Sequence, residues 1–189
     1  MAKILILSGS EAAGEKLAAL CAQLPDAETT VLPDGEAPDL AAPENDWRLI
    51  VVNTPLRSGS GEKTAQYLAE HTTAGVLLIV RAGAAASLQE ETARCGAAVL
   101  EKPFSRELFL AAARLGLATQ TRLERLLAEN RALAVRMEET KLVGRAKCVL
   151  IEHLNVTEDQ AHHYIEKQAM DLRIPRSEVA RGILSAYEF

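Results

Sequence analysis

Residues 123–140, LERLLAENRALAVRMEET, decide how this chain is organised. Leu123, Leu126, Asn130, Leu133, Met137 and Thr140 fall alternately three and four apart. That is the a/d rhythm of a coiled-coil seam. Most of the residues between them are Arg, Glu and Ala, good helix formers, and no Gly or Pro comes before Gly144. A lone helix with such a seam would leave its leucines in water. The stripe therefore needs cover, either from a second copy or from the chain's own neighbouring helices. Asn130 sits at an a position, and a buried Asn there pairs best with its own copy. It favours a parallel two-stranded arrangement at a cost in stability. The expectation is a homodimer joined through Leu123, Leu126, Asn130, Leu133 and Met137.

Upstream of the seam the pattern changes. Residues 3–8 (KILILS), 28–32, 48–52, 75–80 (GVLLIV) and 97–100 read as strands, apolar nearly throughout. Helical stretches alternate with them at 11–24, 61–71, 84–94 and 105–117, with Ser10 and Ser105 as N-caps. Between 33 and 46 stand Pro33, Gly35, Pro38 and Pro43, so a full helix is not expected there. Apolar strands alternating with helices argue for a parallel sheet covered on both faces. Five of them suit a flavodoxin-like α/β domain over residues 1–118, its second helix degraded. Its functional crevice would lie at the C-terminal strand ends, at Ser8, Gly9, Asn53, Arg81 and Lys102. The helix after the fifth strand is expected to end near Leu117, with Gly116 and Thr119 as the only weak breaks before a coiled-coil helix at 119–134, so the junction is either one long rod or a bend.

Downstream, residues 145–154 continue as helix and Asn155-Val156 interrupts it. Thr157 followed by Gln160 is a capping box. The helix it opens, 158–172, carries Ala161, Ile165, Ala169 and Leu172 on one face. A last helix, 177–187, would turn Val179, Ile183 and Ala186 inward. Residues 135–189 therefore read as a small three-helix bundle.

Composition bounds what these parts can do. The net charge of −5 is uneven. Residues 121–189 hold eleven basic and eleven acidic side chains, whereas the first 120 hold ten against fifteen. No global basic signal announces nucleic acid. Cys21, Cys95 and Cys148 are odd in number, far apart and without a CxxC pair. That argues against disulfides or zinc and fits buried thiols in a reducing cytoplasm. The first apolar run is four residues, too short for a signal peptide, and no run is long enough for a bilayer. His162 and His163 are adjacent and diverge on a helix, so no metal is expected. Gly59-Ser60-Gly61 lacks the Lys of a phosphate loop. No nucleophile with a base and no paired carboxylates emerge, so neither an enzyme nor a cofactor is expected. Tyr164 and Tyr187 read as packing residues.

Two resemblances sharpen this. The order of elements, with Lys102-Pro103-Phe104 after the fifth strand, resembles a response-regulator receiver domain. That family holds Mg²⁺ on an acidic pair after its first strand and phosphorylates an Asp ending its third. A hydroxyl residue ends its fourth strand and a Lys its fifth. The resemblance puts those positions at Ser8 and Gly9, Asn53, Arg81 and Lys102, and only Lys102 matches. A Ser-Gly pair offers Mg²⁺ no charge, and an amide forms no acyl phosphate. The expectation is a pseudo-receiver, serving as a dimerising or partner-docking domain, or else using Arg81 and Lys102 to bind an anion.

The second resemblance is more specific. Arg136, Ala146-Lys147-x-x-Leu150, Thr157-Glu158-x-x-Ala161, Gln168-Ala169-Met170 and Val179-Ala180-x-x-Ile183-Leu184 resemble an ANTAR module. Receiver, coiled coil and ANTAR, in that order, imply an RNA-binding transcription antiterminator. Such proteins act as dimers on paired stem-loops in a nascent leader transcript. RNA loops are met by hydrogen-bonding side chains and phosphates by Lys and Arg. Candidate contacts are therefore Arg136, Lys141, Arg145, Lys147, Lys167, Gln168 and Arg173, with His163 beside them. Two rivals remain: a protein–protein regulator without RNA binding, which the neutral C-terminal half favours, and a DNA-binding regulator. Without phosphorylation, control would come from a regulatory protein on the receiver, a small ligand or protein abundance.

Overall fold

The structure is a computed structural model and describes residues 1–34, 37–59 and 61–187; Gly35 and Ser60, which figure in the sequence reading, lie outside the described residues. The chain divides into two compact units, Met1–Arg125 and Leu126–Phe189.

The first unit is a five-stranded, all-parallel sheet in the order β2-β1-β3-β4-β5. Its strands are β1 (Ala2–Ser8), β2 (Ala27–Leu32), β3 (Leu49–Asn53), β4 (Gly75–Val80) and β5 (Ala98–Glu101). The connecting helices are α1 (Glu11–Cys21), α2 (Ala37–Leu40), α3 (Glu62–His71) and α4 (Ala85–Cys95), and α5 (Arg106–Leu154) follows β5. Successive strand residues point to opposite faces. Ile4, Ile6, Leu49, Val51, Leu77 and Ile79 face one side, packed with Leu17 and Cys21 of α1 and Phe109 and Ala113 of α5. Leu5, Leu7, Ile50, Val52, Leu78 and Val80 face the other, packed with Leu40, Ala65, Leu68 and Leu88 of the remaining helices. Both faces are covered, which is why these strands carry no polar alternation. Burial pushes the Cys21 thiol up to about 11, so it is an inert core residue. Between β2 and β3 the prolines leave only the four-residue α2 and a 3-10 turn at Pro43–Asn45.

Of the two junctions left open after β5, the long rod is the one observed: the helix does not end near Leu117, and α5 runs unbroken to Leu154. Gly116, taken as a weak break, is a packing position. A Cβ on Gly75 would lie 2.6 Å from the Gly116 carbonyl oxygen, so two glycines let α5 and the start of β4 touch backbone to backbone. Just beyond, Arg48 holds the helix: its Nε donates to Gln120 Oε1 (2.9 Å) and its Nη2 to Thr121 Oγ1 (2.7 Å). Residues 119–134, expected to form a separate helix, and the first helix of the bundle are parts of this one helix.

The second unit has its own core. Ala146 and Leu150 of α5 meet Ala161, Ile165 and Ala169 of α6 (Glu158–Leu172) and Val179, Ala180, Ile183 and Leu184 of α7 (Arg176–Tyr187). Thr157 caps α6 with both bonds of a capping box to Gln160. Two core assignments are corrected. Leu172 is 59% exposed, and Ala186 is exposed while Leu184 packs inward. α6 ends at Leu172, where Arg173 turns the chain into the left-handed region (φ 55°), so Leu172 leaves the core line. Tyr164 is exposed and not a packing residue; Tyr187 sits with its ring 4.9 Å from that of His153.

Candidate nucleic-acid interface

The seven predicted RNA contacts divide among the surfaces of the second unit. Arg136 and Lys147 come together at a groove of about 610 Å³ on α5. They reach it because residues eleven apart on a helix return to one face after three turns. The facing wall supplies His162 from α6 and Arg176 from the start of α7. Gly144 forms part of the lining, and a Cβ there would meet nothing within 4 Å, so its missing side chain leaves open space. Lys141 and Arg145 border a second depression with Cys148, Val149, Glu152 and again Gly144. Lys167 and His163 border a third, with Met170, Ile174 and again Arg176. Gln168 is half-buried and Arg173 exposed, and neither lines these three grooves.

Acidic neighbours position the cations of the first groove. Lys147 Nζ donates to Glu158 Oε1 at 2.7 Å, which ties α5 to the first turn of α6. That bond and the ammonium charge hold the Glu158 carboxyl below the usual carboxylate range. Arg176 Nη1 donates to Glu166 Oε1 at 3.1 Å, and His162 Nε2 lies 3.4 Å from the same oxygen. Lys141 is held by Glu138 at 2.7 Å. The groove thus offers two guanidiniums, an ammonium and an imidazole in a concave, partly apolar setting, with Glu139 the acid in its lining. Such a surface suits a phosphate backbone with an unstacked base. Sequence reasoning missed His162 and Arg176. Their signal is positional: Arg176 follows Pro175 at a helix start, and His162 lies four residues from both Glu158 and Glu166.

In the first unit, Ser8 and Asn53 are register partners at the ends of β1 and β3. Asn53 Nδ2 donates to Ser8 Oγ at 2.9 Å, and that hydroxyl donates to the Ser10 carbonyl at 2.8 Å. Both side chains are buried and satisfied by one another. A Cβ on Gly9 would lie 2.8 Å from the Pro55 carbonyl oxygen, so the second acidic position has backbone where a side chain would stand. These residues do not fit a Mg²⁺ ion: they bring no carboxylate, and the space is taken. Lys102 Nζ donates to the Thr54 carbonyl at 2.7 Å. Burial and the Arg81 guanidinium hold its ammonium below the usual lysine range, and Arg81 itself is exposed.

Along α5, Leu123 is 39%, Leu126 43%, Leu133 56% and Met137 61% exposed within the single chain. Asn130 is exposed with them.

A family profile described as ANTAR domain matches residues 131–184. The transcriptional regulatory protein PdtaR of Mycobacterium tuberculosis is 30% identical over 137 residues, 72% of this chain and 66% of PdtaR. The chain belongs to the ANTAR-domain response regulators. Its first unit has the receiver fold. The non-phosphorylated HemR receiver domain from Leptospira biflexa matches 62% of this chain and 94% of its own, with a TM-score of 0.53 and 24% identity. The response regulator StyR matches over 98% of both chains, with a TM-score of 0.61 and 14% identity. This ANTAR-domain chain matches just under two thirds of the length of its curated relative. No helix among the described residues is long and apolar enough to cross a membrane.

Proposed function

We propose that this regulator binds RNA through residues 135–189 and works as a homodimer on paired stem-loops of a leader transcript, in the manner of an antiterminator. The observation that carries the reading is the groove at Arg136, Lys147, His162 and Arg176, inside the segment that matches the ANTAR domain. Arg136 and Lys147 engage phosphates, and the planar Arg176 and His162 side chains meet a splayed loop base. Lys141, Arg145, Lys167, Gln168 and Arg173 are secondary contacts on the flanking surfaces.

Residues 119–134 then join two copies. Leu123, Leu126, Leu133 and Met137 are too exposed for a single chain in water, and a second copy covers them. Two heads held together bind two hairpins with an effective concentration that neither has alone. Residues 1–118 act as a pseudo-receiver that takes no phosphoryl group on Asn53. Control comes from a partner protein on that domain, a small ligand or protein abundance, in the cytoplasm. The protein works as a regulator and not as an enzyme.

A gel shift with a two-hairpin RNA from the leader of the protein's own operon tests this, beside its loop-mutated copy and duplex DNA. Retention of the intact RNA alone supports the reading. Equal retention of duplex DNA makes it a DNA-binding regulator, and no retention of any probe makes it a protein–protein module.

A further inference from the structure

The groove at Arg136, Lys147, His162 and Arg176 lies in a half of the chain with no net charge: residues 121–189 hold eleven basic and eleven acidic side chains. Surfaces that meet a nucleic-acid backbone ordinarily carry an excess of Lys and Arg. Two acids of α6 remove that excess at the groove. Glu158 Oε1 accepts from Lys147 Nζ at 2.7 Å. Glu166 Oε1 accepts from Arg176 Nη1 at 3.1 Å and lies 3.4 Å from His162 Nε2. Neither acid lines the groove, yet each holds a cation that does. Arg136 differs, because its side chain is exposed and has no acidic partner among the described residues. The Lys147 side chain is 22% exposed and that of Glu158 73%, so the carboxylate is the partner that turns out into water while the ammonium stays. A pair so open to solvent adds little to stability, and exchanging its anion is easy.

We propose that Glu158 and Glu166 are specificity-determining residues of this groove, a role that rests on the RNA reading above: they cancel Lys147 and Arg176 toward polyanions in general, and they admit an RNA whose fold brings a phosphate and a splayed base to the groove. The two acids act differently. Glu158 competes with phosphate for one ammonium. A phosphate that a folded loop holds against Lys147 displaces it, and a backbone phosphate without that placement does not. Glu166 stays in place. It is bound at the edge of the Arg176 guanidinium, and an arginine held by its edge keeps its flat faces open to stack on a base. His162 shares the same carboxylate oxygen, so two planar groups have one anchor. Selectivity of this kind works by disfavouring the wrong ligand rather than by adding attraction for the right one. It accounts for an RNA surface that carries no excess of positive charge.

Fluorescence anisotropy on the full chain tests this with three probes: the two-hairpin leader RNA, its loop-mutated copy and polyuridine. Glu158→Gln keeps the shape of the side chain and removes its charge. It frees Lys147 for any phosphate, so the loop-mutated copy and polyuridine should bind at least about fivefold tighter. The intact RNA already makes that contact and should gain less than about threefold, so the ratio between the two hairpin RNAs falls. The added phosphate contact should steepen the plot of log K against log salt by about 0.7 for the loop-mutated copy and leave that of the intact RNA nearly unchanged. Glu166→Gln keeps an acceptor for Arg176 without the charge and should lower the ratio as well. Glu15→Gln makes the same change in net charge on an exposed turn of α1 and should leave the ratio alone. If the Lys147 bond only fastens α5 to α6, Glu158→Gln will weaken the intact RNA most or shift all three probes alike, with no change of slope. Either result overturns the inference while the RNA reading stands. Failure of the parent chain and of both variants to bind the leader RNA overturns the two together.

Discussion

The Asn53 side-chain amide donates a 2.9 Å hydrogen bond to Ser8 Oγ, joining the ends of β1 and β3 across the position where a phosphorylated receiver holds its metal. Each group satisfies the other in a buried place. Asn53→Asp would put an unpaired charge there. It should destabilise the first unit by about 1–3 kcal/mol at neutral pH, read by urea unfolding. The restored carboxylate should still gain no phosphoryl group from acetyl phosphate and Mg²⁺, because Ser8 and Gly9 supply no metal ligand. Intact-mass measurement decides it. A stable phosphoryl adduct on the native chain would falsify the pseudo-receiver reading.

Gly75 and Gly116 look equivalent in the sequence and should respond unequally. A Cβ on Gly75 meets Gly116 backbone at 2.6 Å, which cannot move without shifting α5. Gly75→Ala should cost about 1–3 kcal/mol. A Cβ on Gly116 meets the Leu49 Cδ1 end at 2.9 Å and the Gly75 Cα at an ordinary contact distance of 3.9 Å, and alanine regains roughly 1 kcal/mol of helix propensity. Gly116→Ala should therefore lie within about 1 kcal/mol of the parent. Equal losses in chemical unfolding would mean that the close approach is not what selects glycine.

The same pair shows where sequence reading stopped. Strand apolarity and helix caps are local, so the five strands, Ser10, Thr157 and most element ends were legible from periodicity. A glycine in a helical stretch reads as a break unless the backbone it touches is known, and that contact, Gly75, lies some forty residues away. Tertiary packing overrode local propensity, and α5 ran on. In the candidate site, Arg136 and Lys147 were named because they are cations at positions that carry the ANTAR resemblance, and the groove they share was not foreseen. His162 and Arg176 belong to other elements and needed the three-helix packing. Lys147 was visible as a cation but not as the partner of Glu158.

That partnership predicts a pH dependence. Glu158 has a folded pKa below its ordinary 4.5 because of the Lys147 bond and charge. A depressed carboxylate stabilises the fold above the unfolded value, and the stabilisation is lost as pH falls through the folded value. Its window is therefore the acid side of 4.5. Carbon-detected NMR titration should place Glu158 low in the parent and return it toward 4.5 in Lys147→Met. A value unmoved by that substitution would put the cause elsewhere.

Asn130 offers a separate prediction about the seam. Asn at an a position lowers stability while it fixes register and strand number. Asn130→Ile should keep or tighten self-association and admit other oligomers, measured by light scattering across micromolar concentrations. Dissociation into single chains would contradict the placement of Asn130 at a seam position.

Gly144 tests the groove without touching any charge. Its Cβ direction opens into free space, so alanine fits there and gains roughly 1 kcal/mol of helix propensity. Gly144→Ala should raise the melting temperature and leave RNA affinity nearly unchanged. Gly144→Phe should fold equally well, since nothing lies within 4 Å of the new Cβ, yet its ring fills the space between Arg136, Lys147 and His162. It should lower affinity for the two-hairpin RNA at least about tenfold. The salt dependence should be kept in part, because the cations of the flanking depressions remain. Binding by Gly144→Phe as tight as by Gly144→Ala would move the RNA site to the His163 and Lys167 surface, which Gly144 does not line.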